Sequence, residues 1–508
     1  MQSLREKLLE TSEFLLGVEL VSVRGSMAEA RAVRVRDLAA QLIDCPRIDW
    51  ISVTDNAGGN PQLAPQALAK PILYAGKEVV IHLTCKDLNR NGLESAAWQL
   101  ESEGFRNVLA LTGDYPVGGN EGMAKPVFDL DSVGLISLLS KMNRGFDDFH
   151  GKTSFCIGGA VCNHKLREGE VVPQYLKLAK KIECGAHFII TQVGFDARKA
   201  GELRRYMSRD AMACTPLIGN VFLLSLRSAR MFHAGHIPGI VVTDALLQAC
   251  EAQGRGPDEG KAFFEEFAAK QMAVFRGLGY RGVYLGGIHD VAAVDRILAL
   301  EHRFAPDDWK QFAREIAFSQ PGEFFLYEDE TDASSPRGAV AASATFPSPR
   351  VEPLYGLSKR VHAAMFTPGQ PLSNWGASVC RRASDQRQGP ALLRAVERLS
   401  KGVLYQCKDC GDCSLPDVAF LCPESQCAKN QRNGPCGGTR GGRCEVDGYR
   451  DCIWLRAYER LKREGRERQL LAHAPVLQNQ GLRGTSSWAN NWLGRDHAAH
   501  GANGAGHP

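Results

Sequence analysis

The chain has 508 residues, of which 44% are apolar and 23% are charged, and its formal net charge is only +4. This length exceeds what a single hydrophobic core usually fills, so two or three domains are expected. The small net charge gives no reason to expect a nucleic-acid or membrane partner. Because residues 1–13 are charged and no apolar run is long enough to span a bilayer, we expect a cytoplasmic protein whose thiols stay reduced.

Residues 14–290 alternate short apolar runs with longer helical patterns such as Leu93–Glu103, Ser132–Met142, Tyr175–Glu183 and Phe263–Leu278. The predicted strands are Phe14–Leu20, Ile51–Thr54, Val79–Thr84, Val108–Thr112, Phe155–Val161, Phe188–Phe195, Leu217–Ser225 and Val283–Ile288. Eight strand–helix units in about 250 residues predict an α/β fold of the (β/α)8 TIM-barrel type. A doubly wound open sheet has the same alternation, but no G-x-G-x-x-G follows the first strand.

Polar residues occur in or just after these apolar runs, where the active site of a barrel forms. They are Glu19, Thr54, Asp55, His82, Thr84, Asp114, Asn163, Gln192, Ser225 and His289. Helix capping explains Asp55 and Ser225 equally well, because Asp and Ser favour the residue before a helix. Glu19 and Gln192 lie inside apolar runs, where capping does not explain them.

The composition changes after the barrel segment. Residues 328–353 contain two acidic clusters followed by Ala, Ser and Pro, which predicts a linker between a barrel at 1–327 and a second domain at 354–475. Residues 476–508 are rich in Gly, Asn, His and Ala and are predicted to form a disordered tail.

Eight of the chain's sixteen cysteines fall within residues 407–452 of the second domain: Cys407, Cys410, Cys413, Cys422, Cys427, Cys436, Cys444 and Cys452. The opening C-x2-C-x2-C run is too tight to close on itself through disulfides, so a metal site is expected. Eight thiolates can fill two four-thiolate sites, or one site with spare thiols. Zinc and a 4Fe–4S cluster both suit such ligands, and the lack of a second C-x2-C arm slightly favours the cluster. A purely structural role for the metal stays open.

Five segments of the barrel occur in the order found in one family. They are GVEL at Glu19, ISVTDNAGG from Ile51, VVIHLTC from Val79, LALTGD from Leu109 and GAHFIITQVGFD from Gly185. Together they resemble the methylenetetrahydrofolate reductases. The resemblance implies a TIM barrel that binds FAD and reduces 5,10-methylenetetrahydrofolate to 5-methyltetrahydrofolate, or catalyses the reverse oxidation. NAD(P)H is then a candidate electron donor, and a homo-oligomer is expected.

The resemblance also assigns roles to single residues. It implies that Glu19 is the general acid, that Asp114 lies near both flavin and folate, and that Gln192 binds the pterin; His289 is predicted to contact the substrate. The predicted FAD contacts are Thr54, His82, Thr112, Gly113, Asp114, Asn163, Lys180 and Lys181. Two positions depart from the family pattern: Thr112 replaces an arginine that many members carry, and residues 161–164 replace a Tyr and a His-Pro feature.

The chemistry gives these roles a physical reason. The five-membered ring of the substrate must open before its carbon accepts hydride, and opening requires a proton on the departing nitrogen. A carboxylic acid donates that proton at neutral pH only if burial raises its pKa, and the apolar neighbours of Glu19 predict this. An ionised Asp114 would stabilise the cationic iminium.

The cysteine-rich segment resembles a domain that accompanies this family in some bacteria, either fused or as a separate subunit. Two hypotheses therefore stand beside a self-contained reductase. In the first, the metal group passes electrons to the flavin from a redox protein; in the second, the domain docks a methyltransferase without redox work.

Overall fold

The computed structural model describes residues 2–119, 121–146, 151–327, 352–471 and 474–499. The predicted TIM barrel is confirmed, because eight parallel strands close into a barrel in chain order and the last strand pairs with the first. The strands are β1 (Leu15–Leu20), β2 (Trp50–Val53), β3 (Glu78–Thr84), β4 (Asn107–Leu111), β5 (Cys156–Val161), β6 (Phe188–Thr191), β7 (Leu217–Phe222) and β8 (Gly282–Gly286).

Helices surround this barrel, as the alternating pattern predicted. They are α1 (Leu4–Glu10), α2 (Ala30–Asp44), α3 (Pro65–Tyr74), α4 (Arg90–Ser102), α5 (Ser132–Arg144), α6 (Glu168–Glu183), α7 (Ala197–Met207), α8 (Leu226–His233), α9 (Asp244–Gln253), α10 (Lys261–Gly277), α11 (Val291–Glu301) and α12 (Trp309–Glu315). Within the described ranges, no helix has both the length and the apolar character that a bilayer crossing requires.

Two strands end at least three residues earlier than the apolar runs predicted. Strand β6 stops at Thr191, and β7 stops at Phe222. The hydroxyl of Ser225 accepts a hydrogen bond from the backbone N–H of Ser228 and caps α8. An apolar run can thus continue past the strand into the buried loop that follows it.

The two ends of the barrel interior differ in character. Near the amino ends of the strands, Leu4 and Leu8 of α1 pack with Leu15 and Trp50 and fill the barrel. Gly17 permits this packing, because a Cβ there would lie 2.0 Å from the Trp50 ring. Glu19 is two residues further along β1 and, by the alternation of strand side chains, also faces the interior. The carboxyl ends of the strands therefore hold the polar residues.

Residues 352–471 and 474–499 form the C-terminal module. Its helices are α13 (Pro353–Met365), α14 (Pro371–Arg382), α15 (Ala391–Tyr405), α16 (Pro423–Gln426), α17 (Ile453–Lys462) and α18 (Ser487–Trp492). Helix α17 packs on α6 of the barrel, where Leu455 lies against Gly169 and the Tyr458 hydroxyl donates a hydrogen bond to Glu168 at 2.7 Å. The module and the barrel are therefore packed against each other.

The predicted linker and the predicted tail have different outcomes in the structure. Residues 328–351 of the predicted linker lie outside the described residues. Residues 500–508 of the predicted tail also lie outside the described residues. Residues 476–499 differ from the expectation of a disordered tail, because they fold back onto the rest of the module. Trp492 is 8% exposed, and its indole N–H donates a hydrogen bond to the Met365 carbonyl at 2.7 Å. A polar composition does not lead to disorder here because many of the polar groups have buried hydrogen-bond partners. The Ser486 hydroxyl, for example, donates to the Glu397 carboxylate at 2.6 Å.

Candidate functional site

A cavity of about 270 Å³ lies at the carboxyl ends of the barrel strands. Small-molecule sites usually have volumes of about 300–1,000 Å³, so this cavity is close to the lower end of that range. The predicted site residues that line it are Glu19, Thr54, His82, Thr112, Gly113, Asp114, Lys181 and Gln192. Residues separated by up to 173 positions in sequence thus meet in one cavity, as the barrel topology requires.

Three other predicted site residues lie elsewhere. The amide of Asn163 donates a hydrogen bond to the Lys199 carbonyl at 3.0 Å, and the ammonium of Lys180 donates to the Leu470 carbonyl at 3.2 Å. His289 is exposed beyond the end of β8. None of these three side chains lines the described cavity.

Glu19 has the environment that proton donation requires. Burial raises the pKa of its carboxyl group, and a hydrogen bond from the Tyr284 hydroxyl opposes this shift. His82 lies beyond that hydroxyl, with its Nε2 atom 3.5 Å from the Tyr284 oxygen. Burial lowers the pKa of His82 to about 4, so its imidazole is neutral at physiological pH.

The two aspartates at the cavity have different partners. Asp114 follows β4, and its carboxylate accepts a hydrogen bond from the Gly58 N–H at 2.8 Å. Asp55 accepts hydrogen bonds from the N–H and the hydroxyl of Thr84, at 3.1 and 2.7 Å. Asp55 therefore ties the end of β2 to the end of β3, and burial raises its pKa.

Two lysines of α6 point into the cavity one helical turn apart. Burial lowers the pKa of Lys181 to about 7, and the nearby charge of Lys177 adds to this effect. The ammonium of Lys177 donates to the Gln431 side chain at 3.0 Å and to the carbonyls of Gly434 and Pro435, both at 3.1 Å. Lys177 therefore links the barrel to the C-terminal module inside the cavity.

Another α6 residue at the cavity has unused hydrogen-bonding capacity. Gln174 is 5% exposed and lines the cavity. Among the described residues, its side-chain nitrogen has no hydrogen-bond partner. A buried amide without a partner is costly, so this nitrogen is available to a bound molecule.

The C-terminal module forms one wall of the cavity, which the sequence did not reveal. The ammonium of Lys429 donates to the Gly113 carbonyl at 2.9 Å and pairs with the Glu445 carboxylate at 2.6 Å. The thiol of Cys436 donates to the same carboxylate at 3.0 Å, and Cys436 and Gly437 line the cavity. Burial alone would lower the pKa of Lys429, but the Glu445 and Asp114 charges raise it overall.

Four thiols of the module surround a smaller cavity of about 30 Å³: Cys407, Cys410, Cys413 and Cys422. We call them the outer thiol group. Burial raises the pKa of Cys410 to about 12. Several donors aim at these sulfur atoms, including the Asp409 N–H at 3.4 Å from Cys407 and the Lys401 ammonium at 3.5 Å from Cys413.

The other four thiols of residues 407–452 form the inner thiol group: Cys427, Cys436, Cys444 and Cys452. Burial raises the pKa of Cys452 to about 12, and the charges of Cys427 and Cys444 raise it further. Burial also raises the pKa of Cys436, and the charges of Cys452 and Cys427 raise it further. Within the described ranges, no three His, Cys, Asp or Glu side chains are arranged to hold a metal ion directly. Zinc or iron–sulfur ligation thus stays a prediction.

Comparison with known families matches both parts of the chain. Residues 8–275, more than half of the chain, match the family described as methylenetetrahydrofolate reductase. Residues 390–480 match the family described as methylene-tetrahydrofolate reductase C terminal.

Individual relatives are more distant. The chain is 29% identical over 182 residues to methylenetetrahydrofolate reductase 2 of Schizosaccharomyces pombe, and this alignment covers 33% of this chain and 26% of the relative. It is 30% identical over 149 residues to 5,10-methylenetetrahydrofolate reductase of Pectobacterium carotovorum, covering 29% of this chain and 45% of the relative. The alignments therefore span less than half of these relatives.

Among solved structures, the chain is similar to an uncharacterized protein from Clostridium thermocellum, described as binding two copies of 5-methyl-5,6,7,8-tetrahydrofolic acid. The identity is 12% and the TM-score is 0.43, over 59% of this chain and 97% of that one.

Proposed function

Because the chain belongs to the methylenetetrahydrofolate reductase family, we propose that it reduces 5,10-methylenetetrahydrofolate to 5-methyltetrahydrofolate, or catalyses the reverse oxidation. One observation carries this proposal: Glu19, whose pKa burial raises, lines the same cavity as Asp114 and Gln192. The cavity thus combines a proton donor, a carboxylate and an amide suited to a pterin edge.

The residues of the cavity fit FAD as the cofactor. A flavin ring carries carbonyl oxygens and ring nitrogens that need hydrogen-bond donors. The cavity offers the hydroxyls of Thr54 and Thr112, the ammonium of Lys181 and the buried side-chain nitrogen of Gln174, which has no partner among the described residues. When bound, the flavin supplies the hydride for the folate.

Proton transfer is the role of Glu19. Reduction adds one hydride to the bridging carbon and one proton to the departing nitrogen, while the bond between those two atoms breaks. Glu19 remains protonated at higher pH than an exposed glutamate because burial raises its pKa, so it can supply the proton. Neutral His82 and the Tyr284 hydroxyl hold this part of the site without adding charge.

Asp114 and Gln192 orient and stabilise the substrate. Ring opening leaves a cationic iminium, and a carboxylate held in a partly enclosed site stabilises such a cation. The Gly58 N–H fixes the Asp114 carboxylate from one side. The Gln192 side chain can both donate and accept hydrogen bonds, as recognition of a pterin edge requires.

Lys429 offers a cation close to the position where many family members carry arginine. Thr112 occupies that position here, and the Lys429 ammonium contacts the carbonyl of the next residue, Gly113, at 2.9 Å. We infer that the C-terminal module supplies a positive charge beside Gly113, next to the position where Thr112 itself carries none.

The function is tested by purifying the protein anaerobically, recording its visible spectrum and measuring folate turnover with NADH, NADPH or a reduced dye. We expect bound flavin and folate reduction with at least one donor. A purified protein without flavin, or one whose reduced flavin never reduces the folate, would contradict the proposal.

A second function is favoured by the position of the inner thiol group. Cys436 belongs to this group and also lines the folate cavity. Four thiols line one cavity in the outer group, and in the inner group the charges of Cys427 and Cys444 raise the pKa of Cys452. Sets of four thiols suit a 4Fe–4S cluster or a zinc ion. Iron–sulfur groups at both positions would let electrons enter through the module in place of a nicotinamide.

Metal analysis separates the two functions. Iron with acid-labile sulfide, and an absorption shoulder that bleaches on reduction, would support electron entry through the module. Stoichiometric zinc together with NADH oxidation would contradict electron entry and leave a self-contained reductase with a structural metal.

A further inference from the structure

Helix α15 is amphipathic in the reverse of the usual sense. Its buried residues are Arg394, Glu397 and Lys401, whereas surface helices normally turn charged residues to water. Its opposite face exposes Leu392 by 77%, Val396 by 47%, Leu399 by 72% and Val403 by 74%. Their spacing of four, three and four residues places them in one stripe, which we call the α15 face. No described residue covers this stripe.

The buried side of α15 lies against the outer thiol group. The Lys401 ammonium is 3.5 Å from the Cys413 sulfur, and Arg394 and Arg398 line the cavity that the four thiols surround. A helix with its side chains is about 10 Å thick. A protein seated on the α15 face would thus come within about one helix diameter of the outer thiol group.

The charge of the module indicates what kind of protein fits. Residues 352–499 contain 22 Lys and Arg but 14 Asp and Glu, an excess of eight positive charges, whereas the whole chain has an excess of four. Arg382, Arg398 and Lys408 are exposed on α14, on α15 and beside Cys407. Two copies of so basic a module would repel each other, whereas an acidic protein would be attracted.

The apolar area of the α15 face indicates a transient contact and not a permanent dimer. The four exposed aliphatic side chains present apolar surface on the order of 300 Å². A standard stable interface buries about 800 Å² on each partner, while transient electron-transfer contacts are smaller. The α15 face therefore suits a brief encounter better than a permanent dimer.

We propose that the α15 face is the docking surface for a small acidic one-electron carrier protein that reduces the group held by the outer thiols. The inference rests on the proposed entry of electrons through the module. Two carriers, each oxidised by one electron, would supply two electrons per folate, and two protons complete the addition of hydride and proton to the substrate.

The test uses the full chain, purified anaerobically, with a [2Fe–2S] ferredoxin as the acidic probe. Its affinity is measured by interferometry at about 20 mM and about 200 mM salt, because screening weakens charge attraction. Leu399→Glu places a negative charge, which repels the acidic carrier, at the centre of the face. Arg382→Glu replaces a positive charge at the border of the face by a negative one. Tyr74→Glu is the matched control, because Tyr74 lies on α3 of the barrel and is 74% exposed.

We expect ferredoxin to bind the natural chain at low salt and to bind at least about tenfold more weakly to Leu399→Glu. Arg382→Glu should weaken binding at low salt only, and Tyr74→Glu should leave it unchanged. Reduction of the folate by the small dye methyl viologen, which needs no docking surface, should be equal in all four proteins.

Several results would overturn the proposal. One is a natural chain that does not bind ferredoxin, and another is a Leu399→Glu variant that binds it unchanged. A third is a dimer of the natural chain that Leu399→Glu dissociates without affecting ferredoxin, which would assign the face to a second copy. If viologen fails to drive folate reduction while Leu399→Glu still loses ferredoxin binding, the docking surface stands and the proposed electron entry fails.

Discussion

The barrel and the C-terminal module are stabilised by different kinds of contact. The barrel buries apolar side chains in regular strands and helices, with Val18, Ile81 and Val283 all fully buried. The module has short helices and buries charged groups, such as Asp412 at 0% exposure and Glu397 at 2%. A fold built on apolar periodicity can be read from sequence, whereas one built on polar partners and thiols depends on contacts that the sequence does not display.

The proposed active site lies where these two regions meet. The barrel contributes Glu19 and Asp114, and the module contributes Lys429, Cys436 and Glu445. The difference between the regions is therefore also a division of roles. In the proposed site, the barrel places the acid and the groups proposed to bind folate, and the module supplies charge and thiols at the same cavity.

Among the changes proposed for the barrel, replacing the proposed acid should have the largest effect on folate reduction. Glu19→Gln removes the proton donor but keeps the side chain's shape, so folate reduction should fall about 10²–10⁴-fold. Flavin binding and flavin reduction should persist, as absorbance and single-turnover measurements can show. Glu10→Gln, on α1 at the opposite end of the barrel, is the control. Folate turnover near the natural rate in Glu19→Gln would refute the assignment.

The same acid gives a pH dependence. Burial raises the pKa of Glu19, so the protonated acid persists above its ordinary range and is lost as pH rises. Folate reduction should therefore fall with rising pH along a limb that Glu19→Gln lacks.

Two cysteine variants divide the module into its outer and inner parts. Cys410→Ala should lose metal and destabilise the module while flavin binding stays intact. Cys436→Ala should lose metal as well and also weaken flavin binding, because Cys436 lines the cavity. Metal analysis and flavin titration of both variants provide the measurement. Equal flavin affinities in the two variants would show that the inner group does not belong to the flavin site.

A third variant breaks the ion pair that joins the two regions. Lys429→Met leaves the buried Glu445 carboxylate without its main partner, which should destabilise the protein by about 3–5 kcal/mol. The double variant Lys429→Met with Glu445→Gln should recover much of this loss, since no unpaired charge remains. Denaturant unfolding of the natural chain, both single variants and the double variant gives the coupling energy. Additive losses would mean that the pair is not coupled.

How far the sequence predicted this arrangement depends on the range of each contact. The eight strands and the meeting of Glu19, His82 and Asp114 follow from local periodicity and barrel topology. The contact of Lys429 with Gly113 joins residues 316 positions apart, across the predicted linker. No local pattern records such a contact, so the sequence predicted the cysteines as a metal module but not as a wall of the cavity.

The C-terminal segment illustrates the same limit. Its composition predicted disorder, yet His497 is held between the carboxylates of Asp412 and Asp417, at 2.5 and 3.0 Å. These partners lie 85 and 80 residues earlier in the chain.

This clamp gives a further pH dependence. The two carboxylates outweigh the effect of burial and raise the pKa of His497 from 6.5 to about 10. The stabilisation that protonated His497 gives the folded protein is therefore complete below pH 6.5 and is lost as pH rises through about 10. His497→Gln should lower the free energy of unfolding by about 2–4 kcal/mol near pH 6 and by much less near pH 10. A loss that does not depend on pH would contradict an ionised clamp.

The smallest effect is expected at a position that the sequence predicted to bind substrate. His289 is exposed and does not line the described cavity. His289→Ala should therefore change the KM for folate and kcat less than about twofold, a difference below about 0.4 kcal/mol. A large rise in KM would restore the original prediction and imply that the loop after β8 moves toward the substrate.

The central claim is that the module forms part of the flavin and folate site. An experimental structure of the flavin-loaded protein with folate tests it most directly. We expect Lys429, Cys436 or Gly437 to lie within about 4 Å of the flavin or the folate. A structure in which barrel residues alone contact both molecules, with the module withdrawn from the cavity, would contradict the claim.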